Sequence, residues 1–596
     1  MTLDFRIDAT RPERRQLGVR LEFEPVGPPD APVQLFLPAW TPGSYLIREY
    51  ARHLGTVVAR DAASGAVLPC RKVAKNRYEI GRTAATGRVQ VDYEVYAHEL
   101  TVRTADVNAS HAFWNHACVL LWPADGGART ARLQIAHRAD WQVACSLRQE
   151  PRQRGAAADG TVVTTLLADD LDAAIDAPCL VGTFTRLDWS IDGVPHAMVL
   201  DGLAGVAPPP TLLDDVTRIV SAARAVFGGS LPYDDYVFLC LFSADGHGGL
   251  EHAASSTLLA PRTALAGGKP WRDFLGLVAH ELFHAWNGKR MRPVEFWHYD
   301  YERENHTALL WLIEGWTAYY DDLLCRRAGL LSRDEYLALV AKNLDALHAA
   351  PGRLRMSLSE SSFDAWIRLY RPDENTRNSS QNYYGNGALA ALCLDLFVAE
   401  HSDGAHGLDD VVRQLWAESF ARGRGYTRDD VDAAVRRFGG EAAVRLLAGL
   451  VDGPLDPDFA AHFASVGLRL EARGAERPHL GVTFAAGGTV VSAVESGSPA
   501  HEGGLAPQDE IVAIAGLRVD APRWAEVWRA VARVGQAIEV LVARRGVMTE
   551  CRVVPGAARG SCQLTVDAAA SAARQHRRER WLDPFGNDTR PGSTTG

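Results

Sequence analysis

The first part of the chain alternates apolar and polar residues. Leu17, Val19, Leu21 and Phe23 form one run, and Val89, Val91, Tyr93 and Val95 form another. This is the period-two signature of strands with one buried face. Turn clusters such as Gly27-Pro28-Pro29-Asp30 separate the runs, so residues 1–172 are expected to fold as an antiparallel β-sandwich. From about Thr211 the period becomes helical, with helices expected near Asp214 to Val226, Trp271 to Asn287, Thr307 to Arg327 and Arg333 to His348, and onward to about Leu450. A Gly-, Pro- and Asp-rich loop at Asp452 to Asp458 and a polar stretch at Arg473 to Pro478 then lead into a second strand-rich unit. The expected divisions are 1–172, 173–330, 331–470, 475–560 and a basic tail over 570–596. That tail carries Arg574, His576, Arg577, Arg578 and Arg580 and is expected to be solvated and partly disordered.

Composition narrows the function without naming it. A chain of 596 residues with 47% hydrophobic and 23% charged residues is an ordinary globular mix, not a disordered or collagen-like one. Its net charge of -10 argues against a general nucleic-acid or anionic-membrane binder, so neither partner is expected. Nine scattered cysteines with no C-x-x-C pair exclude a disulfide framework and a thiolate metal site. Residues 1–11 carry Asp4, Arg6 and Asp8, and the strongly apolar stretch Ala308 to Tyr320 contains Glu314. Neither reads as a signal core or a membrane span. The expected location is cytoplasmic, or periplasmic if the true start lies upstream.

The chemistry concentrates at His280-Glu281-Leu282-Phe283-His284. On a helix, positions i and i+4 share a face, so both imidazoles can address one metal ion, and Glu281 is placed to act as a base. Pro270 suits the first turn of that helix and Asn287-Gly288 reads as its stop. Catalytic zinc usually takes three protein ligands. Glu314, inside Leu310-Trp311-Leu312-Ile313-Glu314-Gly315-Trp316, is a candidate third ligand, because an unpaired buried carboxylate is costly; pairing with an arginine is the other reading. Gly248-Gly249-Leu250-Glu251-His252 offers a carboxylate with close backbone approach for a cationic group, and alone it reads equally as a surface turn. Asn382-Tyr383-Tyr384-Gly385-Asn386-Gly387 carries hydroxyls suited to an oxyanion, or simply core tyrosines.

Together these segments resemble the glycyl aminopeptidase family, the sixty-first metallopeptidase family and the PDZ-bearing relatives of the gluzincin aminopeptidases. The resemblance also rests on Trp40-Thr41-Pro42-Gly43-Ser44-Tyr45-Leu46-Ile47-Arg48, on Trp286-Asn287-Gly288-Lys289-Arg290-Met291-Arg292-Pro293, and on Arg303-Glu304-Asn305. Ser362-Phe363-Asp364-Ala365-Trp366 and Tyr370-Arg371-Pro372-Asp373-Glu374-Asn375 extend it. It implies a multidomain α+β protein: an N-terminal antiparallel β-sandwich, a thermolysin-like zinc catalytic domain with an α-helical domain, and a C-terminal PDZ domain. It also implies one zinc ion on His280, His284 and Glu314, with Glu281 as general base and acid and Tyr384 as transition-state stabiliser. Glu251 would hold the substrate's amino group in a site shared with Gly248, Gly249 and His252. Many relatives have Lys where this chain has Asn386, which leaves Tyr383 beside Tyr384 as a candidate.

His479-Leu480-Gly481-Val482, Gly497-Ser498-Pro499-Ala500 and Asp509-Glu510-Ile511-Val512 resemble a PDZ domain of the bacterial protease type. Leu480, Gly481 and Val482 would then present backbone N–H groups to a peptide carboxylate; a PDZ-like fold used for internal packing is the other reading. The expected function is a zinc aminopeptidase acting on peptides with a free N-terminus, chiefly on Gly or Ala. The alternatives are a PDZ scaffold with a weak or inactive peptidase domain, and a zinc endopeptidase.

Overall fold

The computed structural model describes residues 1–83, 85–151 and 160–584. The chain forms two compact units, Met1–Asn305 and His306–Gly596, and the fold is a multidomain α+β one with a β-rich N-terminal part.

In the first unit, strands Gln16–Phe23 and Val89–Tyr96 pair antiparallel in an eight-stranded sheet, with Leu21 opposite Val91. Strand Thr2–Asp8 lies between Gln16–Phe23 and Thr130–Arg138, pairing antiparallel with the former and parallel with the latter. The expected sandwich is thus not wholly antiparallel. The intervening chain is long enough for the crossover that a parallel pair requires. Phe5, Leu21, Val91 and Leu133 are fully buried in one core with Leu35 and Ile80 of a four-stranded sheet.

A five-stranded sheet follows, in the order Thr185–Ile191, Val194–Asp201, Tyr236–Ser243, Ser255–Pro261, Gly248–Glu251. The middle three strands run parallel and the two edges antiparallel. The expectation of helical periodicity from about Thr211 is corrected here for residues 236–261. Central strands buried on both faces read as unbroken apolar runs, such as Tyr-Val-Phe-Leu-Cys-Leu-Phe at 236–242, and carry no period-two signal. Gly248-Gly249-Leu250-Glu251 is accordingly an edge strand.

The second unit is helical through Phe459–Ser465. Its helices include Leu310–Arg327, Arg333–His348, Gly385–His401 and Arg428–Val451. Ser332 with Glu335, and Thr427 with Asp430, form capping boxes that fix two of their starts. A strand-rich module follows, with Ile511, Ile514, Val540, Val542 and Val553 packed in its core and helix Trp524–Val531 against it. Strands Leu468–Arg473 and Ser561–Val566 pair beside it.

The basic segment after Ala569 forms a helix over most of its described length, with Arg577 and Arg578 buried while Arg574, His576 and Arg580 are exposed to solvent as expected. Ser571 caps helix Ala572–Leu582. Arg577 donates through Nε and Nη2 to the Ser465 carbonyl at 3.0 and 2.9 Å, and Arg578 donates to the Gly467 carbonyl at 2.9 Å. Those carbonyls and the buried Trp581 give the arginines a reason to order. The Pro591-Gly596 end of the tail lies outside the described residues. Among the described residues, no helix is long and apolar enough to cross a membrane.

Candidate functional site

Helix Gly268–Phe283 buries Trp271, Phe274, Leu275, Val278 and Leu282 along one side. This fixes its rotation and turns His280 and His284 to a common face. The helix stops at Phe283 with His284 as its cap, four residues before the expected Asn287-Gly288 stop. Gly288 adopts a φ of 114°, open to glycine alone, and the turn it permits brings the Asn287 carbonyl back to the His284 ring. His284 Nδ1 lies 2.7 Å from that carbonyl. An N–H there assigns the proton to Nδ1 and leaves Nε2 as a lone-pair donor, the usual arrangement of a metal-ligating histidine.

The two Nε2 atoms of His280 and His284 are 3.2 Å apart. Two nitrogens each about 2.0–2.1 Å from one tetrahedral ion would be separated by about 3.3 Å. The donor pair therefore fits a single zinc ion without rearrangement. Glu281 and Glu251, both buried, each bring a carboxylate oxygen into a group with a His284 ring nitrogen, all within 4.8 Å of one another.

Two glycines permit this crowding. A side chain at Gly249 would fall on the Glu281 carboxylate, and one at Gly43, whose φ is +84°, would fall on that of Glu251. Gly248 stands beside Arg103, which donates to the Gly249 carbonyl at 3.1 Å. His252 is buried, with Nδ1 3.3 Å from Asp176 Oδ1.

In the second unit, Glu314 is buried on helix Leu310–Arg327. Its neighbour Gly315 meets Gly387 of helix Gly385–His401 backbone to backbone, with no room for a Cβ on either. That crossing carries the Tyr383-Tyr384 pair to the Glu314 helix. The two rings stack with centroids 5.0 Å apart. Tyr383 is fully buried, and burial, then Tyr370 and Glu314, hold its hydroxyl well above the usual tyrosine range. Tyr384 is only partly buried and lies with its Oη 3.1 Å from that of Tyr370. Asn386 donates to Gln381 Oε1 at 3.1 Å.

The model of the M61 glycyl aminopeptidase matches residues 273–390, which hold the paired histidines, Glu314 and both tyrosines. The model of the peptidase M61 N-terminal domain matches residues 4–183. The chain belongs to the M61 glycyl aminopeptidase family. Among solved structures, this M61 chain is similar to an aminopeptidase N family protein from Idiomarina loihiensis. The two are 28% identical over 98% of this chain and 100% of that one, with a TM-score of 0.88. An M1 zinc metallopeptidase from Deinococcus radiodurans is 18% identical over 77% of this chain and 94% of that one, with a TM-score of 0.49. A variant of it, solved with a Tyr-Ser-Ala substrate bound, has the same identity, coverage and score. These two are too distant to carry an argument about the site. Among curated proteins there is no match.

Three site-associated residues of this M61 member escape a reading of sequence. Tyr370 stands inside a recognisable motif with no signal for its approach to Tyr384, 14 positions on, and Asp176 lies 76 positions before His252. Lys289 stands inside a recognisable motif with no separate signal for its buried ion pair to Asp176.

Proposed function

We propose that the protein is a zinc aminopeptidase that removes small residues, Gly or Ala, from the N-termini of peptides. The observation that carries this is the facing pair of His280 and His284 nitrogens at 3.2 Å beside the Glu281 and Glu251 carboxylates, in a chain of the M61 family. Glu314 is the third zinc ligand in this reading, supported by its burial and by its place in the family's motif. A zinc ion bound by these residues would supply Lewis acidity to the scissile carbonyl and lower the pKa of its water.

Glu281 Oε takes a proton from the attacking water and returns it to the leaving amine. Tyr384 Oη donates to the developing oxyanion. It is favoured over Tyr383 because its ring is partly accessible, whereas Tyr383 is sealed in the core. Glu251 holds the substrate ammonium, with Gly248, Gly249 and His252 shaping its surroundings, and so restricts cleavage to the first residue.

Residues 475–560 are read as a PDZ domain. Gly481, at φ +87° and packed on Ser498, is consistent with a carboxylate loop at Leu480, Gly481 and Val482. Phe484 and Trp524 meet with centroids 4.6 Å apart. The module is also bound to the helical region, with Asn378 donating to the Val494 carbonyl and accepting from Ser496 N, both at 2.8 Å. These contacts favour a module serving internal docking over one serving as a peptide scaffold.

The test is a panel of aminoacyl reporter substrates with and without a chelator. Glycyl and alanyl reporters are expected to turn over, to fail on chelation and to recover with zinc, while amino-blocked forms stay intact. Activity indifferent to chelation overturns the metal site, and cleavage of blocked peptides makes the enzyme an endopeptidase.

A further inference from the structure

Behind Glu251 lies an ion pair that the proposed chemistry does not use. Asp176 caps the short helix Leu171–Ile175. Its Oδ1 accepts from Lys289 Nζ at 2.6 Å and lies 3.3 Å from His252 Nδ1, and its Oδ2 accepts from Ala253 N at 2.8 Å. Lys289 is almost wholly enclosed, its side chain 5% exposed. It follows closely on His284, to whose carbonyl its own N–H donates at 3.1 Å. Arg290 reaches back as well, donating through Nη1 to the Ala253 and Ala285 carbonyls, each at 2.8 Å. One carboxylate thus joins the end of the Glu251 strand to the exit of the helix that carries both histidines.

A buried ammonium must find a counter-ion. Asp176 Oδ1, 2.6 Å from Lys289 Nζ and 3.3 Å from His252 Nδ1, places that ammonium by the strand end that carries Glu251; burial depresses Lys289, and Asp176, Tyr299 and Glu251 raise it on balance. A cation free to pair with Glu251 would compete with the cationic end of a substrate.

We infer that Asp176 is a positioning residue for substrate selection: by holding Lys289 as its own ion-pair partner, it keeps the Glu251 carboxylate available to a peptide's terminal ammonium. This rests on the reading of Glu251 as the ammonium anchor. Asp176 also holds His252 and Ala253, so the strand end that carries Glu251 keeps its place while the charge is partitioned. With Asp176 neutralised, Lys289 turns to the Glu251 carboxylate and closes the site to amines.

Glycine hydroxamate and acetohydroxamate differ only in the ammonium, so the ratio of their affinities for the zinc-loaded protein, measured by calorimetry, isolates this function. Wild type is expected to favour glycine hydroxamate by about tenfold or more. Asp176→Asn is expected to lose that preference, with acetohydroxamate affinity changed less than about threefold, and its KM for a glycyl reporter is expected to rise more than its kcat falls. The double variant Asp176→Asn with Lys289→Met removes the competing cation and is expected to regain the preference. That regain is what a purely structural role would not produce. Loss of preference in the double variant, or its retention in Asp176→Asn, overturns the inference. If Asp176→Asn fails to fold, Asp176→Ser, alone and with Lys289→Met, supplies the same loss-and-regain comparison. A wild type with no preference for the ammonium instead overturns the anchor role of Glu251.

Discussion

Gly249 and Gly43 show how closely the site's acids are enclosed, since any side chain at either position would displace the carboxylate it faces. At this scale the general base is the most exacting test. Glu281→Gln keeps the shape and removes the basic oxygen, so kcat is expected to fall by about 10²–10⁴, with zinc content by metal analysis unchanged. A variant with near-normal turnover would contradict a base role. The facing of His280 and His284, with Glu281 beside them, was legible in sequence because one helical turn separates the two imidazoles and the motif carries its own geometry. Asp176 was not, because it comes four residues after the acidic run Asp169-Asp170-Leu171-Asp172, among carboxylates that look equally solvated. Only the fold shows that one of them meets a buried lysine.

Among elements, the crossing of helices Leu310–Arg327 and Gly385–His401 at Gly315 and Gly387 sets where Glu314 and Tyr384 stand. Gly387→Ala forces a methyl against the Gly315 Cα and the Trp311 carbonyl. It is expected to cost about 1–3 kcal/mol of stability, measured by chemical denaturation, and to lower kcat for a glycyl reporter. A stable variant with unchanged activity would show the crossing to be slack. Amphipathic helices and half-buried strands announced themselves through their periods, and Arg333–His348 lies where its pattern placed it. The parallel strands Tyr236–Ser243 and Ser255–Pro261 did not, because burial on both faces erases alternation. The Glu251 edge strand, dominated by glycine, looked like a turn for the opposite reason.

On the scale of the whole molecule, helix Ala572–Leu582 closes the second unit. Trp581 Nε1 donates to Tyr319 Oη at 2.8 Å, and the Trp581 carbonyl accepts from Arg327. Arg327 is also paired with Asp409 at 2.9 Å. Removing residues after 570 strips partners from a buried arginine and exposes an aromatic surface. The thermal midpoint is expected to drop by several degrees, and a midpoint unchanged by truncation would make the helix an ornament. Arg577 and Arg578 looked like part of a solvated run because their acceptors, the Ser465, Val466 and Gly467 carbonyls, lie more than a hundred residues away.

The N-terminal strand has a consequence of a different kind. Thr2–Asp8 takes its parallel neighbour from Thr130–Arg138, which leaves the ribosome more than a hundred residues later. At about 5–20 residues per second, the strand spends roughly 6 to 25 seconds of synthesis with one hydrogen-bonding edge unclaimed. Leu3, Phe5 and Ile7, each fully enclosed in the finished protein, are exposed during that interval, which makes this short segment a natural binding site for a chaperone on the nascent chain.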